Sequence, residues 1–221
     1  DAPPPRSLRD WPAWAGIGTL ALLARLPWPL QRALGRVLGI ALRSLLRARR
    51  RVAARNLELC FPTLDARERD ALLRRHFQAL GIALFEFGRA WWGGVQPQRR
   101  GLRIEGAEHI QAAQAEGRGV IVVSGHFTTL EMCARLACDA VPLAGMYRPY
   151  PQAAMEWAVL RGRSRYAAGM FKKQDLRGAV KHLKRGGLLW YAPDQDPSKG
   201  DSVFVPFFGQ PAKSLSSTHQ L

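Results

Sequence analysis

From residue 102 onward the chain alternates short apolar runs with helical segments, and that alternation leaves few folds open. Residues 102–105 (Leu-Arg-Ile-Glu) read as a short strand, 107–115 as a helix closed by Gly117, and 119–124 as a buried strand rich in Val and Ile. A helix over 129–137, a strand over 143–147, a helix over 151–162, a helix over 175–184 stopped by Gly186-Gly187, and a strand over 188–192 continue the pattern. Strands separated by helices imply an α/β fold: a mixed, mostly parallel sheet flanked by helices. In such folds the chemistry collects beyond the carboxyl ends of strands. His126 and Asp194 both lie just past such ends.

The stretch before residue 102 is of another kind. Residues 11–24 are uncharged and largely apolar, and fourteen helical residues cover roughly 21 Å, short of the about 20 residues a full membrane span needs. Leu26-Pro-Trp-Pro-Leu30 breaks the helix. A short anchor, a helix lying in the membrane interface and a signal peptide all remain open; Trp11, Trp14 and Trp28 favour the interface, and no clean small-x-small cleavage site follows. Residues 30–46 repeat leucines and small residues with Arg32, Arg36 and Arg43 between them, and Arg47, Arg49, Arg50 and Arg51 follow. This reads as a basic amphipathic helix, fit either for an anionic membrane surface or for ordinary packing with an exposed Arg face. Asp65 and Glu68 then form a capping box for a helix that runs to about Trp92, with Gly93-Gly94 and Pro97 ending it. The organisation expected is an N-terminal region over 1–55 with membrane-associated helices, and a second domain over 56–221.

Composition narrows the partners. A chain of 221 residues with 47% hydrophobic content has a core and is not disordered. Its net charge of +16 seeks anions: nucleic acid, an anionic membrane face, or phosphorylated and acidic substrates. Cys60, Cys133 and Cys138, odd in number and without CxxC spacing, read as reduced thiols. The chain opens on Asp1 rather than Met, read as a processed or clipped start, and its last residues are read as stopping in mid-domain.

His126-Phe-Thr-Thr-Leu-Glu131 carries the chemistry. A hydroxyl needs a base as it attacks, and neutral imidazole, with an unperturbed pKa of about 6.5, suits the task. Glu131 on the following helix is placed to accept the other ring N–H, with Thr128 or Thr129 capping that helix. On spacing alone a core histidine linked to a helix glutamate is the commoner arrangement. There is no HExxH and no Cys/His cluster for zinc, and Ser124 does not sit in a GxSxG elbow.

Several phrases taken in order say more: Arg55-Asn-Leu-Glu-Leu-Cys-Phe-Pro62, Gly125-His-Phe-Thr-Thr-Leu-Glu131, Met146-Tyr-Arg-Pro149, Arg161-Gly-Arg163, Asp175-Leu-Arg-Gly178, Trp190-Tyr-Ala-Pro-Asp-Gln-Asp196 and Phe204-Val-Pro-Phe-Phe-Gly209. Together they closely resemble the late acyltransferases of lipid A biosynthesis, the lauroyl/myristoyl transferase family, from about Asp10 to the end. The resemblance implies a glycerophospholipid-acyltransferase-like fold and a bacterial inner-membrane enzyme working at the cytoplasmic face. It implies transfer of a fatty acyl group, with lauroyl the expected chain, from acyl carrier protein to a hydroxyl on a 3-hydroxyacyl chain of Kdo-bearing lipid IVA.

Under this resemblance His126 and Glu131 match the family's His-x4-Asp/Glu pair. Arg148, Arg161 and Arg163 match positions that arrange the anionic substrate, and Asp194 matches an acidic position near the site. No cofactor is implied. Asp194 and Asp196 form a DxD, but a carboxylate beside an Arg cluster is commoner than a metal site, so no metal is expected. Phe204 to Phe208 read as wall or core, or as lining for the acyl slot. Two departures stand: Ser214-Leu-Ser-Ser-Thr218 replaces a threonine-richer stretch, and family members continue past residue 221, so the C-terminal part of the fold is expected to be missing. A related enzyme with another lipid acceptor, a basic nucleic-acid-binding module and an idle membrane scaffold are the rivals. The absence of a nucleic-acid motif and the apolar N-terminal segment weigh against the second.

Overall fold

The computed structural model describes residues 3–195 and 202–215. In chain order come α1 (Trp11–Leu23), α2 (Trp28–Leu45), α3 (Arg47–Cys60), α4 (Ala66–Trp92), α5 (Gln96–Arg99), α6 (Ala107–Ala115) and β1 (Val120–Val123). Then follow α7 (Leu130–Ala140), β2 (Leu143–Tyr147), α8 (Ala153–Arg163), β3 (Gly169–Lys172), α9 (Leu176–Lys184), β4 (Leu188–Tyr191), β5 (Ser202–Phe207) and β6 (Gln210–Leu215). They sort into two compact units. The first takes the chain up to Arg25, Phe87–Gly125 and Thr129–Ala192; the second takes Leu26–Glu86, His126–Thr128 and the chain from Pro193.

The first unit holds a four-stranded sheet in the order β1-β4-β2-β3, with every pairing parallel. This is the α/β arrangement that the alternation of strands and helices implies. β4 lies between β1 and β2, Leu188 opposite both Val120 and Leu143, and its Leu188 and Leu189 are fully buried. That explains why this strand reads as a plain apolar run. Asp175 caps α9 by accepting a hydrogen bond from the Gly178 N–H at 2.9 Å. A second cluster packs Trp91, Val95, Met132, Leu136 and Val159 together. Gly162 of α8 lies flat against the Trp91 ring, where a Cβ would find no room.

Three expectations change here. Residues 102–105 are irregular, with Leu102 and Ile104 exposed: a four-residue alternation has too few ladder bonds to hold a strand without a neighbour. β3, at the sheet edge, was not foreseen, because Gly169-Met-Phe-Lys172 carries no Val or Ile run. Trp14 does not stand free for an interface. It packs edge-on to Trp157 at 5.4 Å, and its indole N–H donates to the Pro5 carbonyl at 3.0 Å. Among the described residues no helix is long and apolar enough to cross a membrane.

The second unit contains α2, α3, α4 as far as Glu86 and the β5–β6 hairpin. The capping box is present in both directions: the Glu68 N–H donates to Asp65 Oδ1 and the Asp65 N–H to Glu68 Oε2, each at 2.8 Å. α2 meets α4 through glycine. Cβ atoms built on Gly35, Gly39 or Gly81 would strike the opposing backbone, so the two helices approach as closely as main chains can. The hairpin closes through Phe208 and Gly209, both at positive φ (49° and 72°), as a two-residue primed turn requires. Phe204, Phe207 and Phe208 are exposed on it rather than forming core: alternation along a two-stranded ribbon leaves faces uncovered.

Candidate active site

His126 lies three residues beyond the end of β1, and Asp194 three beyond the end of β4. Both belong to the second unit. The Asp194 carboxylate grips the histidine twice. The His126 backbone N–H donates to Oδ2 at 2.7 Å, and ring Nδ1 stands 2.7 Å from Oδ1. Partial burial pushes the Asp194 carboxyl up, but the two bonds from His126 and its charge outweigh this and hold it below the usual carboxylate range. An ionised carboxylate only accepts, so Nδ1 carries the proton, and in the neutral ring Nε2 carries the lone pair. That is the tautomer a general base needs. The side chain keeps 34% exposure, so the ring is reachable.

Glu131, in the first turn of α7, belongs to the first unit and is 3% exposed. Its carboxylate is surrounded by donors. The Trp91 indole N–H and the Tyr166 hydroxyl each reach Oε1 at 2.6 Å, and Arg163 offers Nε at 3.1 Å to Oε1 and a terminal N–H at 2.8 Å to Oε2. Three elements thus converge on one buried charge: the end of α4, the end of α8 and the loop after it. For Arg163, burial lowers basicity, but the Glu131 hydrogen bonds and charge more than restore it and the net direction is up. Burial first, then Glu131, raises Tyr166 and keeps it a neutral donor. Beside the carboxylate lies an apolar cavity of about 60 Å³, lined by Ala134, Leu143, Met146, Met170 and Trp190 among others, so little water dilutes the interaction.

The spacing had assigned the ring N–H to Glu131. The structure puts Asp194 on Nδ1, and gives Glu131 to Trp91, Arg163 and Tyr166. Likewise Arg163, expected to arrange substrate, has its guanidinium committed to Glu131, while the Arg161 guanidinium lies 5.2 Å from the centre of the Trp157 ring. Arg148 is exposed just after β2. The loop that carries it is pinned on both sides by Glu156, which accepts from the Tyr147 hydroxyl at 2.8 Å and the Tyr150 N–H at 2.9 Å. Burial and then Glu156 push the Tyr147 phenol up to about 12.

Thr129 is the N-cap residue of α7, but its side chain makes no capping bond. Asp196 lies outside the described residues, and among those described no group of three or more His, Cys, Asp or Glu is placed to hold a metal. Trp91 and Tyr166 are the residues sequence reading passed over. A buried indole must find an acceptor, and Tyr166 stands three residues after Arg163, which are the only hints the sequence offers.

Comparison with known proteins agrees with the order of motifs. The profile of the bacterial lipid A biosynthesis acyltransferases matches residues 2–221. A lipid A biosynthesis palmitoleoyltransferase of Escherichia coli (strain K12) is 40% identical over 200 residues, covering 90% of this chain and 65% of the relative. The lauroyltransferase of the same strain matches at the same identity and coverage. A lipid A biosynthesis acyltransferase of Haemophilus influenzae is 35% identical over 203 residues, 91% of this chain. The chain spans 65% of the length of these relatives. With a profile match across nearly all its residues and identities of this size, the chain belongs to the bacterial lipid A biosynthesis acyltransferase family.

Proposed function

We propose that this protein transfers a fatty acyl group from acyl carrier protein to a hydroxyl on a 3-hydroxyacyl chain of a Kdo-lipid IVA-type glycolipid, at the cytoplasmic face of the bacterial inner membrane. Lauroyl is the chain we assign. The observation that carries this reading is the His126–Asp194 pair, within a chain of this family. Asp194 holds the ring by Nδ1–H, so Nε2 takes the proton of the acceptor hydroxyl as its oxygen attacks the thioester carbon. A tetrahedral intermediate forms; its collapse breaks the C–S bond. The carrier thiol leaves, taking up the proton that Nε2 received. Asp194 balances the transient imidazolium charge. No acyl-enzyme forms.

Glu131 acts at one remove. It holds the start of the helix that follows His126 in sequence, through Trp91, Arg163 and Tyr166. Arg148 and Arg161 supply positive charge for an acceptor bearing phosphates and sugar carboxylates.

The test is acyl transfer from lauroyl-, myristoyl- and palmitoleoyl-carrier protein to Kdo-lipid IVA, with the product weighed. His126→Ala removes the base, and activity near wild type in that variant would overturn the assignment. Asp194→Asn keeps the shape but unsettles the tautomer, and kcat falls by about 10²–10⁴ with KM little changed.

A further inference from the structure

Lysine is scarce in this chain and is not spread evenly. Only six of its 33 basic residues are Lys, and four of those, Lys172, Lys173, Lys181 and Lys184, fall within thirteen positions. Arg177 and Arg185 stand among and beside them, and from 172 to 185 the one acid is Asp175, whose carboxylate is occupied in capping α9. All six cations are exposed. Ala179 and Leu183 of α9 pack into the sheet with Ala144 and Leu189, which leaves Arg177, Lys181, Lys184 and Arg185 on one outward stripe at i, i+4, i+7 and i+8.

Helix formation does not explain this charge. Lys181 and Lys184 in the last turn suit the negative end of the helix dipole, but Arg177 in the first turn, with Lys172 and Lys173 before it, sets positive charge at the positive end. Ion pairing does not explain it either. In the first unit Arg99 and Arg135 meet Asp139, Arg118 meets Glu116 and Arg163 meets Glu131, whereas among the described residues none of these six cations takes part in an ion pair. The patch also begins on the working side of the sheet. Lys172 ends β3 opposite Tyr147, the Lys173 N–H donates to the Tyr147 carbonyl at 2.8 Å, and Arg148 comes next. Every pairing is parallel, so this is the edge from which β1 leads on to His126.

We infer that the outer face of α9, with Lys172 and Lys173 at its head, is the surface on which the acidic carrier protein that presents the acyl thioester docks, its carboxylates set against these six cations. The inference rests on the reading that the donor is acyl carrier protein. Unpaired ammonium groups suit a partner that arrives loaded and leaves at every turnover. Long-range attraction raises the encounter rate, and a strongly hydrated point charge holds a carboxylate less rigidly than an arginine fork does. A bilayer fits the patch poorly, because the apolar face of α9 is spent on the sheet and Leu176 is the one large apolar side chain of the helix left exposed. Single-stranded nucleic acid fits poorly as well, since no Phe, Tyr or Trp lies within 172–185 for bases to stack on.

Acyl transfer with lauroyl-carrier protein as the varied donor tests it. Lys173→Glu/Lys181→Glu lowers kcat/KM by at least about tenfold at low salt, through KM and with kcat little changed, and about 0.5 M salt erases most of the difference. Arg67→Glu/Arg74→Glu, which reverses as much charge at exposed positions of α4, stays within about twofold of wild type. In a His126→Ala background, which does not turn over, surface plasmon resonance with the same carrier protein shows the loss as slower association. If the double reversal does not fold, Lys173→Ser/Lys181→Ser serves, with a smaller loss in the same direction. An α9 variant that matches wild type, or an α4 variant that falls as far, overturns the inference and leaves the donor assignment standing. Loss of binding to RNA or to phosphatidylglycerol vesicles, with carrier binding intact, overturns it in favour of that partner. A wild-type protein that takes lauroyl from coenzyme A but not from the carrier protein overturns the donor assignment itself, and the docking surface with it.

Discussion

Replacing Arg163 with leucine isolates the buried charge of Glu131. In the native protein that carboxylate, 3% exposed, receives the Trp91 indole, the Tyr166 hydroxyl and the Arg163 fork. Leucine keeps the apolar stem volume and removes the only cation in this set. Glu131 then remains buried with two neutral donors, a loss that costs about 3–5 kcal/mol when one partner of a buried pair is deleted. The second substitution discriminates. Glu131→Gln in the Arg163→Leu background removes the stranded charge yet keeps an amide oxygen for Trp91 and Tyr166, and recovers about 1–3 kcal/mol. Arg163→Lys retains charge but not the fork and falls between. Urea unfolding followed by tryptophan fluorescence and by circular dichroism measures the set, with both probes because two compact units need not unfold together. A cost for Arg163→Leu below about 1 kcal/mol, or a double variant no more stable than that single one, would refute the reasoning.

Two other outcomes follow from contacts elsewhere. Gly81→Ala places a methyl group against the Gly35 carbonyl and the Gly39 main chain and destabilises the protein by about 3 kcal/mol, whereas Gly94→Ala, with open space around it, changes stability by less than about 0.5 kcal/mol; thermal unfolding compares them. Asp139 is bound by Arg99, at 2.9 Å from Nε, and by Arg135; burial pushes its carboxyl up, but the two arginines overcome this and hold it below its usual 3.8. A depressed acid contributes stability above its unfolded value and loses it as pH falls through the folded one. Asp139→Asn is therefore destabilising at pH 7, and the gap from wild type closes as the pH drops below about 4 in a urea titration series.

The reach of sequence reading here followed the range of the interactions involved. The helix over 66–92 was legible because its signals are local: a capping box at one end, two glycines and a proline at the other, and a periodic apolar face between. The strand at 188–191 was legible because a strand inside a parallel sheet demands an unbroken apolar run, that at 143–147 because it is mostly apolar, and that at 120–123, though it is half-buried at the sheet edge, because it is all Val and Ile. β3 and the hairpin were not: Gly169-Met-Phe-Lys172 carries no Val or Ile run, and Pro206 and Pro211 interrupt the strand pattern of the ribbon.

His126 and Asp194 were marked as site residues by their places after strands, Glu131 by its spacing from His126, and all three by the family motif; the family itself followed from the order of phrases. Tertiary structure decided who binds whom. Five residues of separation made Glu131 the natural partner for His126, but hydrogen bonds depend on direction as well as distance. The fold brings Asp194, 68 positions away, onto the ring, and brings Trp91, Arg163 and Tyr166 onto Glu131. Periodicity likewise showed that α2 has an apolar face, and only the packing showed which way it looks. A hydrophobic stripe has the same sequence whichever way it looks; Gly35, Gly39 and Gly81 bring the backbones of α2 and α4 together and leave Leu30, Leu34, Val37 and Leu45 exposed while Leu38 and Leu42 stay half-buried, because backbones that touch leave no space for larger side chains between them.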